Sequence, residues 1–179
     1  MEIPQRKRLV YEMSIPIRWG DMDAMGHVNN ASYFRYLETI RIDWMQSIGC
    51  VFWGQSPNSP SLAAGPKGAT HGVAAKLVSD PKKHEGPVIV NAFCNFYKQL
   101  EYPGNVLLKM YASDPGGSSF ESWCTMERPD NPGVVYAAGG ATTVWVDFKA
   151  QKSRPLPDWL RAQVDPGSPH QVRGRLSPG

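Results

Sequence analysis

The chain has 179 residues, 41% of them hydrophobic, with 17 glycines, 16 prolines and a net charge of +3. That length suits one domain with decorations, and the apolar share is ample for a packed core. Unbroken apolar runs such as Val88-Ile89-Val90 and Val144-Trp145-Val146 are only a few residues long, far short of the roughly 20 residues of a membrane span, and +3 is no basic stripe for nucleic acid.

The N-terminal basic residues, through Arg8, run into alternating strand-like sequence with no apolar signal core, so secretion is not expected. Residues 9–17 alternate, with Leu9, Tyr11, Met13, Ile15 and Ile17 on one side, and read as a half-buried strand. After a polar loop the period changes. Phe34, Leu37, Ile40, Trp44, Met45 and Ile48 recur at three- and four-residue steps, which predicts an amphipathic helix from about Asn30 to Ile48. Asn29 or Asn30 suits its N-cap and Gly49 its end.

Residues from about 50 to 86 carry many Gly and Pro and read as an irregular insertion, with a short helix near Val73–Ser79. Four strands are expected beyond it, at 88–98, 106–113, 118–128 and 134–148, joined by Pro/Gly turns short enough for antiparallel hairpins. Gly139-Gly140 inside the last strand marks either a bulge or a close backbone approach. The pattern is α+β, an antiparallel sheet covering one long helix. The domain is expected to end near residue 158, with 159–179 a Pro/Gly/Ser-rich tail.

The densest polar cluster is Asp21-Met22-Asp23-Ala24-Met25-Gly26-His27-Val28-Asn29-Asn30, followed by Tyr33 and Glu38. It places two aspartates and a histidine on a loop entering a helix N-terminus, where backbone N–H groups are unpaired. An ionised carboxylate beside such donors suits acyl transfer. Simple helix capping is the alternative. The other signals are weak. Residues 65–72 lack the Gly-Lys-Ser/Thr of a phosphate loop, and His71 and His84 have no partners at metal-ligand spacing. Cys50, Cys94 and Cys124 contain no CxxC and read as small buried hydrophobes in a reducing, cytoplasmic compartment.

The motif resembles hotdog-fold acyl-CoA thioesterases of the 4-hydroxybenzoyl-CoA thioesterase type. It continues through Tyr36-Leu37-Glu38 and Arg41, Gly86-Pro87-Val88, Tyr102-Pro103-Gly104 and Val144-Trp145-Val146-Asp147. The resemblance implies a hotdog fold, an antiparallel sheet wrapped around one long central helix. It makes Asp23 the catalytic aspartate and the Asn30 N–H the donor that polarises the thioester carbonyl. His27 and Asn29 would position the thioester or water, and Tyr33 and Glu38 would face the site. Tyr33 also reads as core, and Glu38 as an ion-pair partner of Arg41 or Arg35. Met25 stands where acyl-carrier-protein thioesterases have Asn, which favours a CoA thioester. The implied protein is a homodimer or homotetramer with no metal or redox cofactor, coenzyme A entering as part of the substrate. Lys149, Lys152 and Arg154 are candidates for holding the CoA nucleotide. A non-catalytic acyl-CoA-binding protein and a hotdog dehydratase or hydratase are the competing readings.

Overall fold

A computed structural model describes residues 6–50, 85–169 and 172–175. The expected helix near 73–79, His71, His84 and most of the 50–86 insertion lie outside these residues. The elements are β1 (Arg8–Pro16), α1 (Asn30–Ser47), β2 (Glu85–Phe96), β3 (Asn105–Ser113), β4 (Ser119–Arg128), β5 (Asn131–Asp147), β6 (Lys152–Ser153), α2 (Asp158–Val164) and β7 (Arg173–Arg175). One sheet runs in the order β2-β5-β4-β3-β1-β7, with β6 added to β5. All pairs are antiparallel except β1 with β7.

α1 lies on one face of this sheet because its apolar positions fall on one stripe. Leu37, Ile40 and Trp44 are buried there beside Leu108, Met110 and Phe120 of the sheet. Each such side chain contributes about 1.5–3 kcal/mol when removed from water. The stripe is rotated from its expected position, however. Phe34 is 40% exposed, and Tyr33 and Tyr36 turn inward instead. Their hydroxyls find partners in Leu100 and Asp21, so burying them leaves no unsatisfied polar group. The alternation in β1 also breaks. A bulge between Leu9 and Tyr11 lets Val10 enter the core.

Two further expectations are corrected. β2 and β3 do not form a hairpin around residues 102–105; β2 pairs only with β5, and β3 lies beyond β4. The connecting chain instead crosses the N-terminal end of α1, anchored by fully buried Leu100, whose C=O accepts the Val28 N–H. Packed structure also continues past residue 158. α2 buries Leu160 and Val164, and Arg8 donates to the carbonyls of Ala162 and Gln163 near its end. Composition marks 159–179 as a tail because Pro and Gly are frequent, but its two apolar anchors hold the first part to the core.

The glycine pair in β5 is a close approach rather than a bulge, since the register with β2 is regular there. A Cβ at Gly139 would stand 2.7 Å from Leu37 Cδ1 of α1 and 2.6 Å from the Phe93 carbonyl oxygen of β2. Helix and sheet meet closely only because that side chain is absent. Gly139→Val should cost about 1–3 kcal/mol, lowering Tm by roughly 2–10 °C in a thermal melt. Gly117→Ala, at a position with no atom near the added Cβ, should leave it unchanged; equal melts for both variants would refute the close-packing account.

Candidate active site

The segment entering α1 is a tight turn. Met22 bridges Val28, the Asp23 N–H donates to the His27 C=O at 2.7 Å, and the Gly26 N–H donates to the Asp23 C=O at 3.2 Å. Gly26 has φ 79°, a conformation that favours glycine and lets the chain reverse.

The two aspartates of the motif do different things. Asp21 is 5% exposed, and its Oδ2 accepts the Tyr36 hydroxyl at 2.8 Å and the Arg18 N–H at 2.9 Å. Burial, reinforced by that bond to Asp21, raises the Tyr36 hydroxyl well above the ordinary tyrosine value, so it remains a donor. The Asp21 carbonyl also accepts the Asn29 N–H at 2.8 Å. Asp21 therefore clamps the turn to the first turns of α1. Asp23 is half-exposed, and its Oδ1 accepts the N–H groups of Met25 at 2.8 Å and His27 at 3.2 Å. These bonds orient the carboxylate and leave Oδ2 without a partner among the described residues.

The helix start is equally specific. Asn29 is the N-cap, its Oδ1 accepting the Ala31 N–H at 2.9 Å and its C=O the Ser32 N–H at 2.8 Å. Asn30, the first helical residue, is left with an N–H that has no acceptor among the described residues. The free donor of the first turn is thus at Asn30, on the exposed end beside the Asp23 turn.

The other expected site residues divide. His27 is partly exposed, with Nε2 3.7 Å from Glu101 Oε1. Tyr33 is a core residue, packed edge-on against Phe96 at 4.9 Å, its hydroxyl accepting the Leu100 N–H at 3.3 Å. Burial raises its pKa, that hydrogen bond opposes the shift, and the negative charge of Asp23 is near enough to add to it. Glu38 is exposed and forms no ion pair with Arg35 or Arg41 among the described residues; it lies about 12 Å along the helix from Asn30. The structure does not bring Lys149, Lys152 and Arg154 to the turn. Phe96, which packs on Tyr33, pairs with Ala137, whereas these residues follow Asp147 at the far end of β5, roughly 30 Å along the strand. Arg154 is engaged there by Asp147 at 3.2 Å. Burial pushes the Cys50 and Cys124 thiols up to about 12 and the Cys94 thiol up to about 11, so none is a ready nucleophile.

Two features escaped the sequence reading. The Asp21–Tyr36 pair spans 15 positions and leaves no local signal, and the part of Leu100 depends on a crossover that no turn motif announces.

One long helix under an antiparallel sheet, with a polar turn feeding its N-terminus, defines a hotdog-fold protein. The family model of the thioesterase-like superfamily matches residues 17–164, and the chain belongs to that superfamily. It is similar to a Pseudomonas aeruginosa protein assigned as a thioesterase, at 30% identity over 87% of this chain and 98% of that one, with a TM-score of 0.66. A Xanthomonas campestris protein assigned as an acyl-CoA thioesterase is 26% identical over 79% and 96% of the two chains, with a TM-score of 0.57. A DHNA-CoA thioesterase from Staphylococcus aureus shares the fold at 15% identity over 85% and 88%, with a TM-score of 0.59. No match was found among the curated proteins.

Removing the Tyr36 hydroxyl tests the clamp. Tyr36→Phe leaves the buried Asp21 carboxylate with one of its two donors, an expected loss of about 1–3 kcal/mol in urea unfolding. An unchanged unfolding midpoint would show that Asp21 does not carry this load.

Proposed function

We propose that this protein hydrolyses an acyl-CoA thioester to the free acid and CoA. The observation that carries the reading is the unpaired Asn30 N–H beside the turn that orients Asp23. Asp23 supplies the nucleophile, as its own carboxylate or as the water it deprotonates. As the carbonyl carbon becomes tetrahedral, its oxygen gains negative charge, and the Asn30 N–H at the positive end of α1 receives it. The C–S bond then breaks, CoA leaves as the thiolate, and the acid is released after water has entered. His27 and the side-chain NH2 group of Asn29 flank this path as positioning groups. The hydrolysis calls on no redox or metal group, and coenzyme A enters only with the substrate.

Two substitutions separate the roles. Asp23→Asn keeps an Oδ1 to accept the Met25 and His27 N–H groups, so the turn survives while the base is lost. Turnover should fall about 10²–10⁴-fold. Asn30→Pro deletes the N–H together with the side chain, and Asn30→Ala deletes the side chain alone. Proline is favoured at the first helical position, and Asn29, at φ −60° and ψ 139°, already has the conformation that precedes proline. It should lower kcat by about 10²–10³ with little change in Tm, whereas Asn30→Ala should stay active. Near-normal hydrolysis by either lossy variant would remove that residue from the mechanism. A wild type inactive on short, medium, long and aromatic acyl-CoAs would favour the non-catalytic binding reading.

The assembly expected is a homodimer or homotetramer built through β2. This strand is the sheet edge, its central residues are exposed, and Ile89, Val90, Phe96 and Tyr97 leave apolar surface beside it. An edge of this kind is a template for another strand. Sedimentation should find a dimer or larger, and Val90→Lys should shift it toward monomer; a monomeric wild type would defeat the assignment.

A further inference from the structure

Beyond Leu37, the helix and sheet part. Arg41 and Trp44 of α1 face Ile89, Met110 and Phe120 across a cleft of about 200 Å³. A dry cavity of about 150 Å³ accommodates benzene, so this one takes the end of a ligand and not a nucleotide. Met110, Phe120 and Trp44 are almost fully buried and make the walls apolar.

Arg41 breaks that pattern. Its guanidinium is half-buried, and loss of water lowers its pKa from the ordinary arginine value. It makes no hydrogen bond or ion pair among the described residues; Glu38, exposed at the rim of the same cleft, acts on its charge from a distance without pairing with it. One turn further on, the Trp44 indole N–H is buried with no acceptor among the described residues. The cleft thus holds spare donors and a positive charge that no anion bonds directly among the described residues. A desolvated guanidinium has five N–H groups to satisfy, and a carboxylate meets two of them in one planar contact.

We infer that the cleft is an anion subsite for the far end of the acyl group, with Arg41 as counter-ion to a second carboxylate on the substrate. The inference rests on the thioesterase reading, since the reacting carbonyl is taken to lie at Asn30. Helix rise places Arg41 about 16 Å beyond Asn30, so the substrate is an extended dicarboxylic acid joined to CoA at one end. The sequence motif contains Arg41 but shows nothing of its lack of a partner.

The test compares acyl-CoAs of equal carbon count that end in a carboxylate or in a methyl group, over a series of chain lengths. The wild type should favour the carboxylate-ended member by about tenfold or more in kcat/KM at the length that bridges the two ends. Arg41→Met should bring that ratio close to unity, and Arg41→Lys, which keeps the charge without the fork, should restore part of it. No preference at any length, or a ratio that survives Arg41→Met, overturns the subsite. If Arg41→Met does not fold, the wild-type series and Arg41→Lys decide the matter in the same way. If the wild type hydrolyses no acyl-CoA, the thioesterase reading fails by itself. Calorimetry with the free dicarboxylic acids then decides the subsite: binding to the wild type that weakens in Arg41→Lys and is lost in Arg41→Met upholds it, and no binding, or binding that survives Arg41→Met, overturns it.

Discussion

A carboxylate taken out of water has to be answered by donors, and Asp21 meets this demand in a way that sets the geometry around it. Its side chain draws in the Tyr36 hydroxyl from α1 and the Arg18 N–H from the approach to the turn, while its carbonyl holds Asn29. Three pieces of chain are thereby fixed relative to one another: the end of β1, the Asp23 turn and the first turns of the helix. The desolvation that makes Asp21 costly also makes the arrangement specific, because any packing that withdrew these donors would leave a buried carboxylate unpaired. The side chain of Asp23, two residues on, bonds only within its own turn among the described residues. Its carboxylate is oriented by N–H groups of its own turn and remains accessible.

The cap makes a similar division at the helix start. Asn29 consumes the N–H groups of Ala31 and Ser32 and leaves that of Asn30. Capping and function are usually weighed as rival explanations of an Asn before a helix. Here the first produces the condition for the second, since a capped helix exposes one donor at a defined place instead of several that fray. The close meeting of Leu37 with Gly139 then seats the helix on the sheet.

Much of this was legible in sequence because hydrophobic period reports local structure directly. The change from alternation in 9–17 to three- and four-residue steps after residue 30 located the first strand and the helix within a residue or two. What depended on contacts distant in sequence was not legible. Phe34 and Tyr33 are equally apolar by pattern, and only the Leu100 N–H and the docking of Tyr36 on Asp21 show which face turns inward. The Tyr102-Pro103-Gly104 turn looks like a hairpin, yet pairing is decided across the sheet, where β5 occupies the place beside β2. Asp21 and Asp23 are the same residue type in the same motif; the resemblance singles out Asp23, and the structure adds that Asp21 is the buried one. Lys149, Lys152 and Arg154 carry suitable charge, and strand length puts them at the end of β5 away from the Asp23 turn.

The two ends of α1 differ in a way that bears on how such a site can change. At the N-terminus the donor proposed for the oxyanion is a backbone N–H, which no substitution other than proline removes. At the C-terminal half the groups that would meet the substrate are side chains, Arg41 and Trp44 among apolar neighbours, each replaceable alone. A helix is rigid over this length, so it holds the two at a constant separation. Substitutions in the cleft can therefore alter which acyl end is accepted without disturbing the turn that Asp21 clamps. In the proposed enzyme, chemistry rests on the main chain and on one oriented carboxylate, and discrimination rests on side chains three turns away. A substrate satisfies both only if its length and its terminal charge match the same helix.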